Sequence, residues 1–376
     1  MQERVMRYID EFRDPTLCNS LLRRIEQLML SLPQGQRLPL QIMEVCGGHT
    51  HAIFKFGLDQ LLPDNLEFVH GPGCPVCVLP MGRIDSCREI AAHPEVIFCT
   101  YGDAMRVPGR NGSLLDARRH GADVRVVYSP LDALQLASEN PQWEVVFFGI
   151  GFETTMPASA LALQQARQRN LRNFSLFCQH IILIPALRCL LEQPDVRIDG
   201  FLAPGHVSMV LGTAPYQFIA TDHHKPLVVS GFEPLDMLQG LVMLLEQFSD
   251  GRSVVENQYR RIVPDQGNLL ARRAIDEVFC PKENSEWRGL GEIPHSGMQI
   301  RPEYADFDAE LRFKPQAQRV ADDPRARCGE VLTGRCKPDA CPLFGQQCTP
   351  ENAFGALMVS SEGACSAYYQ YRRENA

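Results

Sequence analysis

Apolar residues recur at spacings of mostly three to five through the first thirty positions: Val5, Ile9, Phe12, Leu17, Leu21, Ile25 and Leu28. That rhythm predicts an amphipathic helix or a bent pair, stopped by Pro33 and the Gly-Gln-Arg that follows. From residue 40 the pattern changes to short apolar runs separated by helical stretches. LQIMEV (40–45), LEFVHG (66–71), VIFCTY (96–101) and VRVVYS (124–129) read as buried strands. A second series follows in WEVVFFGI (143–150), FSLFCQ (174–179), IDGFLAPG (198–205) and PLVVSG (226–231). Helical patterns such as MPASALALQQARQ and PLDMLQGLVMLLEQF lie between or after them. Strands alternating with helices predict parallel sheets with crossover helices. Beyond 250 the periodicity fades. Residues 281–350 are rich in Pro, Gly and charge, and a late burst of cysteines begins there.

The predicted fold class is therefore α/β: two similar parallel-sheet domains about a central cleft, plus an irregular, mostly helical C-terminal domain. The expected divisions are a helical segment at 1–35, α/β domains at 36–142 and 143–250, and a cysteine-bearing domain at 251–376. The N-terminal helix is expected to dock on the last of these. In open parallel sheets ligands sit at the carboxyl ends of the strands, so residues in those loops carry the most functional information.

Composition narrows the function. The 376 residues are 45% hydrophobic and 22% charged, enough apolar material for two or three cores. A net charge of −8 and no Lys/Arg-rich block argue against nucleic acid as a partner. The charged start MQERVMRYIDEF lacks the apolar core of a secretory signal. Apolar stretches such as IILIPALRCLL (181–191) are broken by Pro or Arg, and no membrane span is expected. A cytoplasmic location follows. Fourteen cysteines in a reducing compartment point to metal or redox chemistry.

The cysteines form two constellations. Cys328, Cys341, Cys348 and Cys365 lie within one stretch of under forty residues, with twelve, six and sixteen residues between successive members. Four thiolates so grouped can close an iron–sulfur cluster, and a loop-rich domain gains folding energy from that closure. A zinc site with four cysteine ligands is the competing reading, although such sites usually contain close C-x2-C pairs. Cys336 is a fifth candidate ligand. The second constellation joins EVCGGHTH, with Cys46 and His49 just past the first α/β strand, to HGPGCPVC, with Cys74 and Cys77 just past the second. Neighbouring parallel strands would bring these loops together. The helix opening after Cys46 is expected to favour its thiolate. A zinc site, a Cys74/Cys77 dithiol–disulfide pair beside a separate reactive Cys46, and incidental buried thiols are all open on spacing alone.

GIGFETTMP (149–157) places Glu153 and Thr154 at a strand end, either as simple helix caps with Thr155 or as cleft residues able to exchange protons. It lacks the third glycine of a dinucleotide fingerprint, and no Walker lysine follows. His206 in APGHVS, and His223 and His224 in TDHHKP, read mainly as structural; Asp103 and Arg106 line the same edge or pair with each other. Cys18, Cys87, Cys99, Cys178, Cys189 and Cys280 read as buried, inert thiols.

Taken together, EVCGGHTH, HGPGCPVCVLP, GFETT, APGHVS, CPLFG, CTP and MVSSEGAC, in that order, resemble the HypD family of hydrogenase maturation factors along essentially the whole chain. The resemblance implies a scaffold for the Fe(CN)2CO group of [NiFe]-hydrogenases, working with a HypC-type small chaperone and a HypE-type cyanide donor. It implies that Cys46 holds the iron jointly with a chaperone cysteine, with His49 close by. Cys74 and Cys77 would be the redox-active pair, and Glu153 and Thr154 cleft residues. Cys328, Cys341, Cys348 and Cys365 would bind a [4Fe-4S] cluster, with Cys336 outside that set. The implied cofactors are this cluster and, transiently, the iron carrying cyanide and carbonyl ligands. Conventional enzymatic turnover is left open. A thiol–disulfide oxidoreductase and a zinc-stabilised binding module are the alternatives.

Overall fold

The computed structural model describes residues 9–316 and 318–372, so Val5 lies outside the described residues. All eight expected strands form: β1 (Leu40–Glu44), β2 (Leu66–His70), β3 (Val96–Thr100), β4 (Asp123–Val126), β5 (Glu144–Gly151), β6 (Phe174–His180), β7 (Gly200–Pro204) and β8 (Leu227–Ser230). A short ninth strand, β9 (Val255–Asn257), was not expected. The strands make two wholly parallel sheets, ordered β2-β1-β7-β8-β9 and β4-β3-β5-β6.

This pairing corrects the expected boundary at 142/143. The chain lays down β1 and β2, leaves to build the whole second sheet from β3 to β6, and returns as β7 to pair with β1 through Ile42↔Gly200, Met43↔Phe201 and Glu44↔Leu202. Periodicity is a local signal and reports strands, not which distant strand each one meets.

The N-terminal helix Pro15–Leu30 begins at Asp14, whose carboxylate accepts from Thr16 N and Leu17 N at 2.7 and 3.1 Å. That cap satisfies two of the helix's otherwise orphan donors. Against expectation, the helix packs on helix Pro234–Ser249 of the first sheet, not on the cysteine-bearing region. Its apolar stripe explains why: Ile25, Leu28 and Met29 share a core with Leu40, Ile42, Leu238 and Leu241. Each such buried side chain contributes about 1.5–3 kcal/mol. Arg24 pairs with Glu246 at the rim of that contact.

Residues beyond 278 are short helices and irregular chain, with two small antiparallel ribbons, Phe279–Pro281 with Met298–Ile300 and Asn284–Trp287 with Gly291–Pro294. Arg288 ties this region to the rest. It is buried, pairs with Asp322 at 2.7 Å, donates to Pro108 O and Phe354 O, and its own N–H meets Val78 O. Among the described residues no helix is long and apolar enough to cross a membrane.

Candidate metal and thiol centre

The loops after β1 and β2 meet backbone to backbone. Gly47 N donates to Gly73 O at 3.2 Å, and Gly71 N donates to Glu44 O at 2.8 Å. The approach at Gly73 admits no side chain, because a methyl there would sit 2.1 Å from Val45 C and 2.2 Å from Cys46 N. The sequence reading of these two loops as neighbours holds. Cys74 and Cys77 are joined as a disulfide, both buried, and Cys77 N donates to Cys74 Sγ at 3.2 Å.

Cys46 caps the helix Gly47–Lys55 and is half-buried. The thiol is pushed up to about 12, chiefly by the dry surroundings and then by the charges of Glu362 and Glu44. Backbone N–H groups of Gly48 and His49 pull the other way and lose. The helix terminus's expected pull toward the thiolate is thus outweighed by desolvation plus two carboxylates, Glu44 two residues upstream and Glu362 from the C-terminal segment.

Glu44, wholly buried, organises the floor of the site. It accepts from Cys46 N at 2.9 Å, from the Thr50 hydroxyl, and meets His70 Nδ1 at 2.8 Å. His49 is also wholly buried. Its Nε2 faces two carbonyls, Gly231 O at 2.9 Å and Ser230 O at 3.3 Å, so that nitrogen carries the proton and donates. Among the described residues Nδ1 has no hydrogen-bond partner. Burial lowers the imidazole's proton affinity, which suits a neutral ring offering a lone pair.

His206, read as structural, in fact adjoins this site. Its ring stacks on Phe232 at 3.9 Å, and Phe232 packs on His49 at 4.6 Å. His223 and His224 stay apart: His223 packs edge-on against Phe218 at 6.0 Å, and His224 is exposed with φ of 52°.

Glu153 does not cap its own helix. Its Oε1 accepts from Leu183 N, the first residue of helix Leu183–Leu191, at 3.1 Å, while buried Oε2 has no partner among the described residues. Burial lifts this carboxyl to about 7. Thr154 is exposed, and the Thr155 hydroxyl turns back to Phe152 O at 3.1 Å. Tyr216 is wholly buried, with its hydroxyl 3.1 Å from Ser208 Oγ and within electrostatic range of both Glu153 and Cys46.

The four cysteines of the late burst line one small apolar pocket of about 20 Å³, walled by Val331, Leu343, Phe344, Leu357 and Met358 as well as Cys328, Cys341, Cys348 and Cys365. Cys336 does not line it and faces a separate pocket beside Glu67 and Lys337. Among the described residues no three His, Cys, Asp or Glu side chains converge on a single-ion position. Four thiols around an apolar void fit a polynuclear cluster better than one tetrahedral zinc ion, whose ligands meet at a point. Gly355 is part of that fit, since a methyl there would lie 2.3 Å from Cys328 Sγ.

One segment links the centres. Just before Cys365, Val359 O accepts from Arg106 and the Ser360 hydroxyl donates to Asp103 at 2.7 Å, so Asp103 and Arg106 hold this segment and not each other. Two residues on, Glu362 lies over Gly47: a methyl on that glycine would be 2.6 Å from Glu362 Cβ. Helix Ala364–Arg372 then packs on helix Gly47–Lys55, with Tyr368 edge-on to Phe54 at 4.7 Å. Glu44, Tyr216, Phe232 and Glu362 were not singled out from sequence. Two of them had a signal: Glu362 lies in the same short motif as Cys365, and Glu44 opens EVCGGHTH. Of the six thiols read as inert, Cys87, Cys99 and Cys178 are buried, whereas Cys18, Cys189 and Cys280 are partly exposed.

The family model HypD, described as "Hydrogenase formation hypA family", matches residues 16–372. The chain is 67% identical to the hydrogenase maturation factor HypD of Escherichia coli (strain K12), over 98% of this chain and 99% of that one. It is 56% identical to the HypD of Rhodobacter capsulatus, over 97% and 98% of the two chains, and 48% identical to that of Cupriavidus necator, over 98% of each. With a matching family model and close relatives over nearly its full length, the chain belongs to the HypD family of hydrogenase maturation factors.

Proposed function

We propose that this protein serves hydrogenase maturation as the scaffold on which iron destined for the Fe(CN)2CO group is held while its ligands are attached. Cys46 binds the iron as cargo, jointly with a cysteine of a HypC-type chaperone, and a HypE-type partner delivers cyanide from a thiocyanate-type carrier. The observation that carries the reading is the backbone contact between the Cys46 turn and the Cys74–Cys77 loop, which sets a two-electron thiol pair beside the candidate iron ligand.

The chemistry requires such a pair. Releasing cyanide from a carrier R–S–C≡N is a two-electron reduction. In the dithiol state Cys74 and Cys77 supply both electrons: the carrier's S–C bond breaks, the Cys74–Cys77 S–S bond forms, one thiol proton passes to the carrier sulfur and the other leaves with cyanide. The disulfide form is then the spent state. Cys328, Cys341, Cys348 and Cys365 fit a [4Fe-4S] cluster, which when bound supplies electrons for returning that disulfide to the dithiol. Loading iron on Cys46 displaces the thiol proton, and Glu362 and Glu44 are the nearby carboxylates. Glu153, with its carboxyl near 7 and an Oε2 without a partner among the described residues, is suited to give or take a proton in the cleft, with exposed Thr154 next to it in the chain. Twelve free thiols suit a reducing cytoplasm.

Replacing Cys77 by Ser tests this. The variant is expected to keep its iron–sulfur absorption yet fail to support hydrogenase activity or to acquire cyanide bands. Normal maturation by Cys77→Ser contradicts the reading.

A further inference from the structure

We infer that Phe232, with the carbonyls of Ser230 and Gly231, forms a clamp that positions His49 so that its Nδ1 lone pair is presented to the iron at Cys46. The inference rests on the proposed reading of Cys46 as the iron ligand. It goes beyond that reading by assigning a role to the loop after β8.

Three observations support it. First, both carbonyls meet the same ring nitrogen, Nε2, at 2.9 and 3.3 Å. Two acceptors on one nitrogen fix the proton there and leave Nδ1 as the lone pair. A histidine that binds metal through one nitrogen commonly donates its other N–H to a carbonyl, which sets the tautomer and the ring's orientation. Second, Nδ1 is buried and without a partner among the described residues. Burial strips such a lone pair of water without replacing the hydrogen bond, and a metal ion is a ligand that would engage it. His49 is three residues beyond the cap Cys46, and helical side chains lean back toward the N-terminus, here toward the thiol's turn.

Third, Phe232 fixes the ring from its face. It contacts His49 at 4.6 Å on one side and stacks on exposed His206 at 3.9 Å on the other. The same ring closes over the Cys46 turn. A methyl on Gly48 would lie 3.1 Å from Phe232 Cε1 and 3.6 Å from Cys46 Sγ. The loop is itself anchored, because Glu233 pairs with Arg13 and Tyr259 packs edge-on against Phe232 at 6.3 Å. Phe232 is therefore a positioning residue that acts through His49.

The test uses the full chain with Phe232→Leu, Phe232→Tyr, His49→Ala and the Phe232→Leu/His49→Ala double variant. In metal-free protein, ¹⁵N-histidine NMR is expected to show His49 as a single Nε2–H tautomer in wild type and Phe232→Tyr, and as an exchanging mixture in Phe232→Leu. An Nδ1–H tautomer in wild type, or a Phe232→Leu spectrum like wild type, overturns the inference whether or not iron binds at Cys46. With the chaperone co-expressed, Phe232→Leu is expected to lose about tenfold in iron retention, within the range for residues that orient a metal ligand, and to shift the cyanide bands, while Phe232→Tyr restores both. In the His49→Ala background Phe232→Leu is expected to add nothing further. A full additional loss there overturns the claim that Phe232 acts through His49.

Discussion

Gly73→Ala probes the joint between the two thiol loops. Its added methyl would lie 2.1 Å from Val45 C, 2.2 Å from Cys46 N and 2.3 Å from Val45 O. Carbon contacts settle near about 3.5 Å, so the two backbones must part by roughly 1.3 Å. Neither side offers a flexible side chain that can turn away. Overpacking of this kind costs about 1–3 kcal/mol. Parting the strands also weakens the Gly47 N–Gly73 O and Gly71 N–Glu44 O hydrogen bonds, each worth about 1 kcal/mol. The sum is a loss of roughly 2–5 kcal/mol, concentrated at the Cys46 turn. Gly102→Ala is the control, since its methyl meets only Val126 Cγ1 at 3.7 Å, an ordinary contact. At one scan rate, the unfolding midpoint of Gly73→Ala is expected to fall by about 3–8 °C, and Cys46 alkylation, followed by peptide mass spectrometry, to accelerate. Gly102→Ala should match wild type in both. A Gly73→Ala protein within about 1 °C of wild type, with an unchanged alkylation rate, would refute the claim that the loops share this contact.

Two further outcomes are expected. Burial raises Glu153 to about 7 from 4.5, so between those values the unfolded chain gives up a proton that the folded chain keeps; this group's contribution to stability falls as pH rises through that window, by up to about 3 kcal/mol, and is level above it, while buried His180 and His49, whose proton affinities are lowered, contribute in the opposite sense. Glu153→Gln should flatten that slope in unfolding midpoints taken from pH 4.5 to 8, and an unchanged slope would count against it. Gly355→Ala places a methyl 2.3 Å from Cys328 Sγ and so should displace that thiol, lowering iron and labile sulfide well below wild type, whereas wild-type content would contradict the placement of the cavity.

The strands and the clustering of chemistry at their carboxyl ends were legible in the sequence because both are local. An apolar run followed by Gly-rich polar residues marks a strand and the loop beyond it. The neighbouring of EVCGGHTH and HGPGCPVC followed from consecutive parallel strands, and β1 and β2 do pair in register from Leu40↔Leu66 to Glu44↔His70. What escaped depends on distant segments. The return of β7 to β1 has no local signature, so the sheet boundary was misplaced. Cys46 was read from its helix terminus alone, because nothing near it in sequence says that Glu362, more than three hundred residues on, shares its surroundings. Phe232 and Tyr216 are ordinary apolar or aromatic residues until the fold sets one against His49 and the other within range of Glu153 and Cys46.

The most direct test of the account is anaerobic purification with and without a co-expressed HypC-type chaperone, followed by iron, zinc and labile sulfide analysis and infrared spectroscopy. The account predicts about four irons and four sulfides per chain, plus, with the chaperone, a further iron showing cyanide and carbonyl stretches that is lost in Cys46→Ala. Zinc in place of iron, with no such bands in any preparation, would contradict it.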